Sequence, residues 1–168
     1  MKARLTAALI IVMTLTRCDG GLAPPVADKP GFGGTIRFVR SSWPPADSIF
    51  GLWMFTSQNV PSDSSAIFAG LFSDPPTIYL YPGLTASLSE VPVDSVSYAI
   101  YPAAATYVYT GIIQQMTPAI SAGGLRVVGL YQKPGPGFVP ETLRVVASEF
   151  ITGIDINVDF QNPPPQPF

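Results

Sequence analysis

The sequence predicts an all-β domain, a two-sheet antiparallel sandwich preceded by an export signal. Three observations carry this. Short apolar runs rich in β-branched and aromatic residues recur along the chain, and 19 prolines and 15 glycines fall between them as turn punctuation. Outside the first eighteen residues no segment shows a convincing helical period. The run Ile154-Asp155-Ile156-Asn157-Val158-Asp159-Phe160 alternates at every position, which places four apolar side chains on one face and three polar ones on the other. With 168 residues, 47% of them hydrophobic and 12% charged, the chain is long enough and apolar enough for one buried core.

The chain opens on a positive segment, Met1-Lys2-Ala3-Arg4, followed by an apolar stretch over 5–15 relieved only by Thr6 and Thr14. A membrane-spanning helix needs about 20 apolar residues, so this stretch suits a signal peptide instead. Leu15-Thr16-Arg17-Cys18 resembles the lipobox of bacterial lipoproteins, in which the cysteine becomes the lipidated first residue. Arg17 departs from the small residue expected beside the cleaved bond. The alternative is an ordinary signal peptide followed by a free Cys18. Cys18 is the single cysteine, so no intramolecular disulfide is possible. The predicted organisation is a signal peptide over 1–17, a flexible Pro- and Gly-rich tether over 18–32, the β-domain over 33–160 and a proline-rich tail over 161–168.

Strands are predicted over 33–40, 49–56, 66–72, 77–81, 86–91, 95–101, 105–115, 125–131, 142–147 and 153–160. The second is apolar on both faces (Ile49, Phe50, Leu52, Trp53, Met54, Phe55), as in a strand that is central or covered by a loop on its second side. In the last, Ile154, Ile156, Val158 and Phe160 are expected to face the core, and Asp155, Asn157 and Asp159 water, where charge also deters edge pairing.

Trp43-Pro44-Pro45-Ala46-Asp47-Ser48-Ile49 leads into a buried strand, and Gly153-Ile154-Asp155-Ile156-Asn157-Val158-Asp159-Phe160 leads into the proline tail. With Tyr107-Val108-Tyr109 and Val127-Val128-Gly129-Leu130-Tyr131 between them, the chain resembles small bacterial lipoproteins with a transthyretin-like or carboxypeptidase-regulatory-like β-sandwich, over roughly residues 33 to 160. The resemblance implies an Ig-like two-sheet fold and a role as an accessory module on secreted or surface proteins. It implies no active site.

The chain has no histidine, which excludes Ser-His-Asp and Cys-His catalysis. A Ser-Lys dyad could draw only on Lys29, in the tether, or Lys133, beside a Pro-Gly turn. Zinc would need all-carboxylate ligation, which suits it poorly. Asp155-x-Asn157-x-Asp159 opens like a calcium loop but lacks the glycine and distal glutamate, and alternate side chains on a strand project in parallel about 7 Å apart. No metal or cofactor is therefore expected, and no enzyme. Loss of Lys2, Arg4 and Arg17 with the signal would take the basic residues from 9 to 6 against 11 acids, a net charge of −5. Such a chain gains nothing from displacing phosphate counterions, so nucleic acid is not an expected partner.

What remains is aromatic. Trp43, in a loop, is the candidate ligand-binding residue for a sugar-stacking platform that Trp53 and seven tyrosines could extend. Trp43 could equally plug one end of the sandwich, and Trp53 reads as core. Gln114-Gln115 could add hydrogen bonds to a ligand or form an exposed strand end. The expected function is a non-catalytic accessory or binding domain, held at the bacterial cell envelope by a lipid on Cys18, on the periplasmic or surface face. The expected partner is another envelope protein added at a strand edge; the alternative is a carbohydrate-binding module using exposed aromatics.

Overall fold

Most of the predicted strands form, and their neighbours are set by contacts far apart in sequence. The computed structural model describes residues 29–119 and 121–167. The expected signal peptide, Cys18 and nearly all of the expected tether lie outside these residues. In chain order the elements are β1 (Gly31–Phe38), β2 (Gly51–Ser57), α1 (Ser64–Leu71), β3 (Ile78–Tyr81), β4 (Ser95–Ile100), β5 (Ala105–Tyr107), β6 (Tyr109–Gln115), β7 (Leu125–Leu130), β8 (Leu143–Val145), β9 (Phe150–Ile151) and β10 (Ile156–Val158). Strand β1 begins inside the stretch expected to be tether.

The larger sheet runs β3-β2-β6-β7-β10-β1-β4, with β9 alongside β1; β5 and β8 form a second, two-stranded sheet. The larger sheet is mixed, not purely antiparallel. The first strand lies parallel to the last, with Ile36 opposite Ile156 and Phe38 opposite Val158, and β9 also runs parallel to β1. The sheet curls until its two end strands approach: the rings of Tyr81 on β3 and Tyr98 on β4 lie 6.2 Å apart. Phe32, Ile36, Leu52, Met54, Ile112 and Ile156 fill the inside of the curl, joined by Tyr107, Leu143 and Val145 from the small sheet.

Strand β2 is buried along its whole length, as its two apolar faces require. Leu52 and Met54 point into the curl. Trp53 and Phe55 point outward into a second cluster with Ile67, Ile78, Tyr109, Ile113 and Val127. Helix α1 covers that outer face, where a strand over 66–72 was expected. Asp63 caps it, its carboxylate accepting from Ala66 N at 2.8 Å. Eight residues are too few to display a helical period, and the aspartate three positions ahead is the stronger cue. Gly70 brings the helix against β3: a Cβ there would sit 2.6 Å from Ile78 Cγ1.

Two other expectations change. Residues 86–91 form no strand; they run past the end of β3, where Leu88 N donates to Leu52 O and Ser87 Oγ accepts from Leu52 N. The predicted strand over 105–115 breaks at Val108. Tyr107 pairs within the small sheet and Tyr109 within the large one, so the chain changes layer there.

Candidate functional site: a cleft over the last strand

Ile154, Ile156, Val158 and Phe160 are buried, and Asp155 and Asn157 are exposed, as the alternation predicts. The position of that polar row is unexpected. β10 is an interior strand between β7 and β1, so its outward side chains guard no sheet edge. They form the floor of a cleft of about 300 Å³. One wall is the loop over 132–138, closed at its base by Lys133 N donating to Val139 O at 3.0 Å. Its turns use Gly135 (φ 134°) and Gly137 (φ 91°), a left-handed backbone that glycine adopts without strain. Val39 lines the cleft from the end of β1, and Asn162 and Pro164 line it from the segment after β10.

That segment is docked rather than a free tail. β10 pairs with β7 only at Gly129 and Leu130, which leaves Val127 without a strand neighbour on that side. Prolines 163–165 have no N–H to complete the ladder. The Gln166 side chain does so instead: Oε1 accepts from Val127 N at 2.8 Å, and Nε2 donates to Val127 O at 3.0 Å. Pro164 is buried beneath it.

The two carboxylates of the cleft are engaged in structure. Asp155 accepts from Thr35 N and from Arg37 Nη1, each at 2.8 Å. The Thr35 N–H first, then Arg37, hold its carboxyl below the usual range. This is the reverse of what a general acid requires. Asp159 Oδ1 accepts from Gln161 N at 3.0 Å and Asn162 N at 3.3 Å, turning the chain out of the strand. The carboxamides are different. Asn157 and Asn162 have no side-chain partner among the described residues, and Gln132 Oε1 is shielded from water with no partner among them. An orphan buried acceptor costs about 1–3 kcal/mol. Lys133 supplies a cation at the rim and Phe138, 38% exposed, an apolar wall.

Trp43, the residue singled out from sequence, lies elsewhere. Its ring is half-buried against Phe38 (5.0 Å between centroids) and Phe160 (4.9 Å) at one end of the inner core. Trp53 is buried and its indole N–H donates to Ala86 O. Tyr98, Tyr107 and Tyr109 are buried too; burial pushes all three phenols up, Tyr109 to about 12. Gln114 and Gln115 are buried and occupied. Gln114 Nε2 donates to Ser48 O and its Oε1 accepts from Arg126, while Gln115 Nε2 donates to Thr117 O. Of the seven tyrosines only Tyr101 is exposed, 5.6 Å from the Phe150 ring, so the tyrosines do not extend a platform from Trp43.

Sequence reasoning missed Gln132, Phe138 and Asn162. The Pro134-Gly135-Pro136-Gly137 run was legible as a turn, but nothing local says that it stands over β10. No group of three or more His, Cys, Asp or Glu able to hold a metal occurs among the described residues. No protein-family model, curated protein or solved structure was found to match the chain.

Proposed function

We propose that the protein is an exported, lipid-anchored accessory domain of the bacterial cell envelope that binds a partner or ligand and catalyses nothing. The observation that carries the binding half is the cleft. Its neutral carboxamides Asn157 and Asn162 exchange hydrogen bonds but do not move protons at ordinary pH, Asp155 is committed to Thr35 and Arg37, and Asp159 holds the turn after β10 through Oδ1. The envelope half rests on the signal-like first seventeen residues and Cys18. In this reading the curled sheet and the small sheet are the two layers of an Ig-like, transthyretin-like sandwich. A protein partner would add at β3 or β4, where the sheet path ends.

The test is detergent phase partitioning with intact mass of the N-terminus, comparing wild type with Cys18→Ser in a bacterial host. A lipid adduct on Cys18, with wild type in the detergent phase and the variant aqueous, is the expected result. Aqueous behaviour of both, with cleavage elsewhere, would remove the anchor.

A further inference from the structure

We propose that the cleft over β10 is a binding site for a neutral sugar unit, read by Asn157, Asn162 and Asp159 and backed by Phe138. This rests on the binding, non-catalytic half of the reading above and is independent of the lipid anchor. Four classes of occupant can be compared on the residues present. An anion would meet a single cation, Lys133, set against Asp155 and Asp159 in the same cleft. A metal ion would find no group of three His, Cys, Asp or Glu side chains among the described residues, and Asp155 is already held by Thr35 and Arg37. An added peptide strand needs free backbone, and β10 is hydrogen-bonded on both sides, to β7 and to β1. A neutral polyol needs groups that donate and accept side by side, together with an apolar surface for its C–H face.

The cleft holds that combination. A carboxamide carries two donors and an acceptor on one planar group, which matches a hydroxyl that both donates and accepts. Asn157 and Asn162 line the cleft with no side-chain partner among the described residues. Asp159 uses Oδ1 for the turn, which leaves Oδ2 as an acceptor. Phe138 and Val39, both partly exposed, border the site and offer apolar surface. A volume of about 300 Å³ is at the small end for ligand sites, so it would take a terminal ring or a short stretch of a longer glycan. The aromatic platform expected around Trp43 plays no part in this site.

The experiment uses the full chain in a zwitterionic detergent, because glucoside and maltoside detergents carry sugar headgroups. Saturation-transfer NMR and titration calorimetry are run with glucose, galactose, mannose, N-acetylglucosamine and their common disaccharides, and with inorganic phosphate and a neutral pentapeptide as competing probes. The expected result is saturable binding of at least one sugar, weakened about tenfold by Asn157→Ala and by Phe138→Ala, as loss of one good contact predicts. Phe72→Ser, at the C-terminal end of α1 and 73% exposed, should bind as wild type. Near-ultraviolet circular dichroism establishes that each variant is folded. No sugar bound by folded wild type, or binding that survives both cleft substitutions, overturns the proposal. So does binding of phosphate or the pentapeptide alone. Steady hydrolysis of a bound disaccharide would remove the non-catalytic reading and leave the site standing; an unlipidated Cys18 would remove the anchor and leave it standing as well.

Discussion

The outer surface of the large sheet is finished in two different ways. Over β2, β6 and β7 it is apolar and dry, with Trp53, Phe55, Ile113 and Val127 sealed under α1. Over β10 it is polar and open, with Asp155, Asn157 and Asp159 on the floor of a cleft. The difference follows from the strands themselves. A strand apolar on both faces must be covered twice, and the cover consumes that surface for stability. An alternating strand buries one face and leaves the other free to do something else. Substitutions on the two surfaces should therefore separate stability from binding.

The largest effect is expected under the helix. Phe55 is fully buried, 5.7 Å from the Tyr109 ring, and Phe55→Ala should cost about 3–5 kcal/mol in denaturant unfolding. A loss under 1 kcal/mol would mean that α1 does not seal this face. Next is pH. Burial raises Tyr109 from 10.0 to about 12, so the unfolded state loses its proton first as pH climbs. Its contribution is complete below pH 10 and disappears through pH 12, a fall of about 2–3 kcal/mol that Tyr109→Phe should reduce. Stability measured from pH 8 to 12 checks it.

Smaller effects probe the seams. Gln166→Ala should cost about 1 kcal/mol and speed hydrogen exchange at the Val127 amide, because the ladder position it fills reverts to water. An unchanged exchange rate would break the view that the proline segment closes the edge of β7. Asp63→Ala removes the cap of α1 and should also cost about 1 kcal/mol. The smallest change in stability is expected for Asn157→Ala, within about 0.5 kcal/mol, since its side chain is exposed and unpaired among the described residues. Were it to destabilise as Phe55→Ala does, the contrast between the two surfaces would collapse.

Several features were legible from residues alone. The doubly apolar run from Leu52 to Phe55 required cover on both faces, and β2 has it. The alternation from Ile154 to Phe160 assigned each side chain its face. Trp53 read as core, and it is. The candidate site was much less legible. Trp43 drew attention because a tryptophan between a loop serine and two prolines looks available, yet Phe38 and Phe160 enclose it. Gln132 and Asn162 sit in stretches with no period or motif, and only the fold brings them beside Asn157. The helix was missed because Ile67, Phe68 and Leu71 within two turns resemble a strand fragment, and the cap at Asp63 was the better guide.

By itself the sequence determined that this is a β-rich chain, where most of its turns fall, and which faces of β2 and β10 are apolar. Those are local properties, set by side-chain period and by the backbone limits of proline and glycine. Only the tertiary structure decided that the first strand lies parallel to the last, that a helix rather than a loop covers β2, and that Gln166 completes the edge of β7. It likewise decided that the polar face of β10 lies beneath the Pro-Gly loop instead of along a rim. Each of these joins residues far apart in the chain, as Arg37 joins Asp155 across 118 positions. The pairing of such partners is settled by which long-range contacts together outweigh the entropy of closing the loops between them, and no local pattern encodes that sum.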